Sequence, residues 1–436
     1  MGAVTIAVAV VASLLVMATK PRHGLGIYFA LLMLYPSYLS VSLGSVDITV
    51  SRIVVTVLLL RVLTDRELAV AFRFKVMDFL VLALFAWGAF ALTVTVGAGI
   101  LENRAGAFMN TVMPYFAARL IVKSRDDLLC FAKWVAVVVI PVAALAVLES
   151  ATGWSMYLGM KQYSYLGMAP GIPDRRWGFY RAAGPSMAIT FGLCFVAVMP
   201  MILSLRKCTD SWKSVSTLSL LAAVGGVLAS MSSGPLMCLV VFSGCAVLIY
   251  RPAYVKPIIV LFLLALVAAE IGSNRHFYYL IGYLTFSEKT AWYRAKLFEV
   301  AVRKLPEYWL LGYGGQDPGW GPLIDERNYT DVCNGYILFA VTQGIPAMLL
   351  FSGVLATGIA YMTKVYRTSV LPLLKDAAWY MGSFMVGMIF ALWSVGLLGS
   401  MEMVFYIVVG VMAAPVFDMD RFGRAALSVP VSRSLK

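Results

Sequence analysis

Three successive stretches in the middle of this chain, residues 185–204, 215–231 and 234–250, contain no Asp, Glu, Lys or Arg at all, as do the runs 2–19, 25–43, 334–361 and 377–395. Each is long enough to cross a hydrocarbon core of about 30 Å, which takes roughly 17–25 helical residues. Further apolar runs lie at 2–19, 25–43, 48–63, 77–99, 106–122, 129–149, 255–271, 334–361, 377–395 and 398–416. Together they make about thirteen candidate spans, the shortest of which need a thinned bilayer or tilted neighbours. Only 13% of residues are charged and 61% are hydrophobic, against about 25% and about 45–50% in a soluble domain. So little charge cannot clothe a water-soluble surface on a chain this long. The expected fold is therefore all-α, a single polytopic transmembrane bundle and not a string of soluble domains.

Lys and Arg mark the orientation, because cytoplasmic loops carry them in excess. Counting alternate connections places Lys20, Arg22, Arg61, Arg66, Arg73, Lys75, Lys123, Arg125 and Lys133 on one side. Arg206, Lys207, Lys213, Arg251, Lys256, Lys364, Arg367, Lys375 and the tail arginines fall on the same side. That side reads as cytoplasmic, so the net charge of +13 is a topology signal and calls for no nucleic-acid partner. The chain then divides into N-terminal helices (1–149), a first extracytoplasmic loop (150–184), central helices (185–271), a large and partly helical extracytoplasmic loop (272–333), C-terminal helices (334–416) and a cytoplasmic tail (417–436). Residues 1–18 are apolar without a basic leader, and read as a retained helix. The six cysteines follow no metal spacing, and most fall in spans or cytoplasmic loops, so a disulfide framework is not expected. No internal repeat or low-complexity segment is evident.

The first long loop sets Trp154, Tyr157, Tyr163, Tyr165, Trp177 and Tyr180 among Lys161, Arg175, Arg176 and Arg181, with Asp174 as its acid. Taken singly, the aromatic residues are those of an ordinary interfacial belt. Arg181 differs, because it stands just before Gly184-Pro185, where the next span begins. In the second loop, residues 290–305 read as a helix ended by Pro306. Glu299 and Arg303 are spaced for an i,i+4 surface pair, whereas Arg294 has no opposite charge at helical spacing. Gly312-Tyr313-Gly314-Gly315 lacks the ending of a phosphate loop and reads as a turn packed back on the bundle. Asp331 and Asn334 stand at a helix start, as an N-cap pair or as reacting groups. Arg52 and Arg119 lie inside spans, where an arginine must face protein or water or snorkel; Glu270 and Glu402 lie near the outer surface. No HExxH, GxSxG, paired-cysteine or DxD motif occurs, so zinc, serine-hydrolase and metal-bridged nucleotide-sugar chemistry lose support.

Arg181-Ala-Ala-Gly184-Pro185, Met231-Ser-Ser-Gly-Pro-Leu236, Arg294 with Leu305-Pro306 and Leu311-Gly312-Tyr-Gly314, and Asp331-Val-Cys-Asn334-Gly-Tyr-Ile337 ahead of Gly344 resemble the O-antigen ligase and polysaccharide polymerase superfamily. The resemblance spans most of the chain through short, degenerate motifs. It implies a GT-C-like bundle in a bacterial inner membrane, with its active side periplasmic. It further implies a donor glycan carried on a polyprenyl diphosphate, and transfer to the hydroxyl of another lipid-linked unit. No cofactor or metal is implied; membrane lipid and other polysaccharide-assembly proteins are the implied partners. Arg181, Arg294 and Asp331 become the expected catalytic residues, the arginines for the diphosphate and Asp331 as base, with Glu299 and Glu270 behind it. Tyr180, Arg275, His276, Arg303, Lys304 and Asn334 become the expected binding residues. Two departures stand out. Cys333 occupies a place where ligases of the family commonly have His, and Ser233 one where they commonly have Arg. The missing His weighs against lipid A–core ligation, and Asp331 near Asn334 fits a polymerase of the family better. A lipid or solute transporter is the competing class. It predicts matched broken helices with midplane charge, whereas Pro141 has no twin and the charges gather at the outer edge.

Overall fold

The computed structural model of the chain describes residues 2–43, 46–64, 72–163, 174–272, 279, 288–325 and 328–418. The first helices are α1 (Gly2–Ala18), α2 (Pro21–Leu34) and α3 (Val50–Thr64). The apolar run expected to span 25–43 stops as a helix at Leu34, because Pro36 disfavours helical backbone at Tyr35, which is extended. Ser40–Leu43 (β1) and Val46–Thr49 (β2) then pair as an antiparallel hairpin.

Next is α4 (Val76–Val96), whose start is fixed by the Asp78 carboxylate accepting the Lys75 N–H at 2.7 Å. The stretch expected as one span over 106–122 is two short helices, α5 (Leu101–Asn110) and α6 (Val112–Ile121), broken at Thr111. Pro114 has no amide to continue the ladder across that break. The long helix α7 (Arg125–Thr152) starts on a Ser124–Asp127 capping box and stops at the left-handed Gly153. A two-residue pairing of β3 (Arg175–Arg176) with β4 (Phe179–Tyr180) leads to α8 (Ala188–Cys208), α9 (Lys213–Ala229), α10 (Ser233–Val247) and α11 (Val255–Gly272). The second long connection carries α12 (Glu288–Arg303), α13 (Leu305–Tyr308) and α14 (Gly321–Ile324), before α15 (Gly335–Thr368), α16 (Pro372–Ala391) and α17 (Ser400–Ala413).

Among the described residues, eight helices are long and apolar enough to cross a membrane. The protein is a multi-pass, all-α membrane protein, with the two small hairpins as its only sheet among those residues. One large apolar cluster joins α1–α10 to α15–α17. A second, smaller cluster sits under the second connection, where Tyr293, Leu297 and Val300 of α12 meet Tyr308, Trp320 and Ile337. That connection is seated on a break in α15. Gly344 adopts φ 84°, and a Cβ there would fall 1.8 Å from the Leu310 carbonyl oxygen. Gly312, also at positive φ, lies against the Thr342 and Gln343 backbone, and the Tyr313 N–H donates to the Val341 carbonyl at 2.6 Å. Only glycine fits either side of this contact. Gly312, and Gly314 against Thr95 and Val96, therefore serve packing, as expected of a turn.

The two ends of the bundle differ. At the end bearing the short basic connections, Arg119 is 2% exposed and pairs at 3.3 Å with Asp78, which is fully buried. The Tyr115 hydroxyl donates to the same carboxylate, and Arg119 donates to the Arg73 carbonyl. Beside them Lys75 meets Asp418 at 2.6 Å and donates to the Tyr361 hydroxyl and the Ala413 carbonyl. Arg119 thus faces protein and does not snorkel. Arg52 also has partners, donating to Asn110 and to the Asp47 carbonyl. The opposite end carries both long connections.

Candidate active site

The turn between α9 and α10 organises the loop-bearing end. Met231 adopts φ 46°, so the chain reverses sharply and Ser232 becomes the N-cap of α10. The Ser232 side chain makes no capping bond. Its hydroxyl donates back to the Ser230 carbonyl at 2.8 Å and accepts from an outside guanidinium. The N-terminal end of α10, with its partial positive charge, therefore opens on the same spot.

Three arginines converge on three successive residues of this turn. Arg176 donates to the Met231 carbonyl at 3.2 Å, Arg181 to the Ser232 hydroxyl at 2.9 Å and Arg294 to the Ser233 hydroxyl at 3.4 Å. Arg181 is placed by neighbours on both sides. Glu149, buried at the end of α7, accepts the N–H groups of Ala183 and Gly184 at 3.1 and 3.2 Å. The Ala182 N–H donates to Ala229, and Arg181's own N–H to Asp174. The Asp174 carboxylate lies 3.6 Å from Arg181 and 3.9 Å from Arg176, but it is an exposed acid. Burial pulls the Arg181 guanidinium below its ordinary pKa, and the neighbouring Arg176 pulls the same way against Asp174. The Nε of Arg181 is buried without a hydrogen bond.

Arg294 comes from α12, two connections away in sequence. It is 7% exposed. Its second bond goes to the Ser394 carbonyl at 3.0 Å, and its buried Nε has no partner. Phe298, one turn further along the same helix face, stacks on Trp393 with centroids 5.6 Å apart. The non-helical segment after α16 is thereby clamped under α12. No carboxylate among the described residues pairs with Arg294, so its charge is buried against neutral groups, the Ser233 hydroxyl, the Ser394 carbonyl and the Cys333 thiol. Cys333 lies beside it. Burial pushes that thiol up, with the Arg294 guanidinium opposing, so Cys333 stays protonated at neutral pH and cannot serve as a base. Asp331 is exposed nearby. Its N–H donates to the Tyr293 hydroxyl at 2.8 Å, a phenol that burial pushes up to about 12.

Arg181 and Arg294 thus meet at one turn, with Asp331 at the rim. The other expected residues do other work. Asn334 is the N-cap of α15, accepting the Tyr336 and Ile337 N–H groups and donating to the Trp393 carbonyl. Its polar atoms are committed to the fold, and Asp331 is no partner in the cap. The Tyr180 hydroxyl accepts from Arg175, whose guanidinium lies 4.2 Å from the Tyr180 ring centre. Glu299 pairs with Lys296 at 3.1 Å instead of with Arg303, and accepts from Tyr279; the nearer i,i+3 lysine reaches it first. Lys304 pairs with Glu307 at 2.6 Å, and Arg303 is exposed. Arg275 and His276 lie outside the described residues.

Arg176, Ser232, Ser233 and Glu149 were not among the expected site residues. An Asp-Arg-Arg run and a Ser-Ser-Gly-Pro turn are visible in sequence, but nothing in either says that they meet. Among the described residues no three His, Cys, Asp or Glu side chains gather as metal ligands. The cradle offers a cluster of fixed guanidiniums, the Ser233 hydroxyl and a helix N-terminus, a set of donors suited to a multiply charged oxyanion. No family model matches this chain, and no curated protein resembles it significantly.

Proposed function

We propose that this protein is a polysaccharide polymerase: it transfers a polyprenyl-diphosphate-linked glycan onto a sugar hydroxyl of another lipid-linked repeat unit, on the outer face of a bacterial inner membrane. The observation that carries the proposal is Arg294, a buried guanidinium without a carboxylate, which bonds one residue along a helix N-terminus from the contact of a second, half-buried arginine. A buried charge with only neutral partners costs the fold several kcal/mol, and a bound diphosphate would offset that cost. In the reaction the acceptor hydroxyl oxygen forms a bond to the anomeric carbon of the donor. The bond from that carbon to the diphosphate oxygen breaks, and the leaving diphosphate takes the electron pair. Charge grows on that oxygen as it departs, where Arg181 and Arg294 stabilise it from a rigid frame. The acceptor's proton goes to Asp331, which is open to solvent and can release it there.

The large, basic asymmetry between the two ends of the bundle supports an outward-facing site. Protein in liposomes, mixed with polyprenyl-diphosphate-linked repeats, should give a ladder of longer lipid-linked chains. One larger product that forms only with an added lipid or protein acceptor would replace the polymerase with a ligase-type transferase. Movement of a labelled lipid across the bilayer without any new glycan would replace both with a transporter.

A further inference from the structure

Between α1 and α3 runs an open groove of about 630 Å3. It extends from Ile6 to Met17 on α1 and from Ile53 to Thr64 on α3. On either helix that is about 16 Å at 1.5 Å per residue, or about half of a hydrocarbon core of roughly 30 Å. The groove is thus as long as one leaflet is deep. Buried Ala9 leaves room at its floor, and exposed Val10, Leu14 and Leu60 stand at its edges. Its polar residues, Ser13, Arg61 and Thr64, all lie toward the end of the bundle with the short basic connections. There Arg61 donates to the Val16 carbonyl, and no carboxylate among the described residues pairs with it. Lys20 and Arg22 follow α1 by two and four residues. Neither has an ion pair among the described residues, and the Arg22 Nε is buried without a bond. The Thr64 hydroxyl is committed to the Arg61 carbonyl at 2.9 Å. One helical turn inward from Val16, the buried Ser13 hydroxyl has no hydrogen-bond partner. It does not make the bond to the carbonyl four residues back that helical serines commonly make.

We infer that this groove holds an acidic two-chain phospholipid of the leaflet at the basic end. One acyl chain lies between α1 and α3, the phosphate meets Arg61, and an ester oxygen accepts from Ser13 one turn deeper. Charge complementarity selects the occupant. Basic pockets between membrane helices recruit acidic head groups, and here three cations stand at one end without an ion pair among the described residues. A zwitterionic lipid would set its own ammonium against them. A groove on the other face of α3, about 410 Å3 in volume, supplies the contrast. Leu59, Leu82, Phe108 and Phe116 line it with other apolar residues, and no charged or polar side chain does. Lipid of any head group suits that one. The α1–α3 site lies at the opposite end of the bundle from Arg181 and Arg294, so it stands independently of the proposed reaction.

Two photoreactive lipids with the same diazirine acyl chain, a phosphatidylglycerol and a phosphatidylcholine, test this on the wild-type protein in nanodiscs. After irradiation and peptide mapping, adducts on residues 6–17 of α1 should be at least about fivefold more abundant with phosphatidylglycerol. Adducts around Phe108 and Phe116, in the apolar groove, should be equal with the two lipids. Arg61→Gln should lower phosphatidylglycerol labelling of α1 about fivefold, the equivalent of about 1 kcal/mol, and leave phosphatidylcholine labelling unchanged. Val10→Trp, which fills the groove and keeps Arg61, should lower it as much. The comparison of the two lipids on the wild type needs neither variant to fold. Equal labelling of α1 by both lipids overturns the site, because it would mean bulk lipid only. The same phosphatidylglycerol excess in both grooves also overturns it, as a general attraction of acidic lipid to the basic end. So does an excess that survives Arg61→Gln. Val10→Cys protein that cross-links quantitatively to its own copy through position 10 overturns it as well, since a second chain then fills the groove.

Discussion

Two arginines are almost equally buried at opposite ends of this bundle, and their surroundings differ in kind. Arg119 has Asp78 as a counter-ion, with Tyr115 on the same carboxylate. Arg294 has a serine hydroxyl, a backbone carbonyl and an unbonded Nε. Both positions oppose folding through desolvation. At Arg119 the opposing charge is supplied within the chain, so the site is closed and its task is to hold α4 against α6. At Arg294 the neutral partners fix the direction of the guanidinium and leave its charge uncompensated. Under the proposed function that charge is met by an anion from outside, and this is why the functional reading rests at that end.

The comparison breaks most visibly at Arg119. Arg119→Ala leaves Asp78 buried without its counter-ion and should cost about 3–5 kcal/mol, seen as a large drop in melting temperature in detergent or as loss of folded protein. Arg294→Met should do the opposite to stability, leaving the melting temperature unchanged or higher, while kcat falls by about 10²–10³-fold. A clear loss of stability in Arg294→Met would put the two arginines in one structural class. Pyrophosphate at a hundred times its Kd should stabilise the wild type by about 2.7 kcal/mol, and that gain should vanish in Arg294→Met. Asn334→Ala should cost about 1 kcal/mol as a lost cap, while Asn334→Asp, which still caps but loses the bond to the Trp393 carbonyl, should recover part of the melting temperature and restore turnover. Failure of the Asp variant in turnover alone would return Asn334 to the chemistry.

The smallest effect belongs to an exposed pair. Hydrogen bonds from Lys304 and Tyr313 hold the Glu307 carboxyl below its ordinary value, burial opposing only weakly. A carboxylate lowered on folding contributes its stability above the unfolded value and loses it as pH falls through the folded value. Melting curves for the wild type and Glu307→Gln should therefore coincide except for a slight extra gain in the wild type that fades below about pH 4.5. A larger difference at neutral pH would show that this surface cluster supports α12 more than its exposure implies.

Much of the bundle is legible in the chain, and the exceptions have local causes. Pro36 ends α2 early, and Thr111 with Pro114 splits the stretch over 106–122. Hydropathy averages over such breaks, because the residues on either side stay apolar. In the site, Arg294 could be singled out because α12 offers it no counter-charge, and that is a property of helical spacing. Asn334 could not be assigned between cap and catalyst, since the same side chain serves either. Glu149 looked like the end of a span; only the folded chain shows its carboxylate gripping Ala183 and Gly184 to aim Arg181.

What the sequence determined by itself was the solvent and the asymmetry. Too little charge for water forces helices into lipid, and Lys and Arg collected on one set of connections separate the two ends. What the tertiary structure decided was which arginines meet. Arg176, Arg181 and Arg294 arrive from two different connections onto Met231, Ser232 and Ser233. That convergence depends on the left-handed turn at Met231 and on α12 being seated over the kink at Gly344. Burial of a charge is a property of everything packed around it, so no local stretch of the chain encodes it.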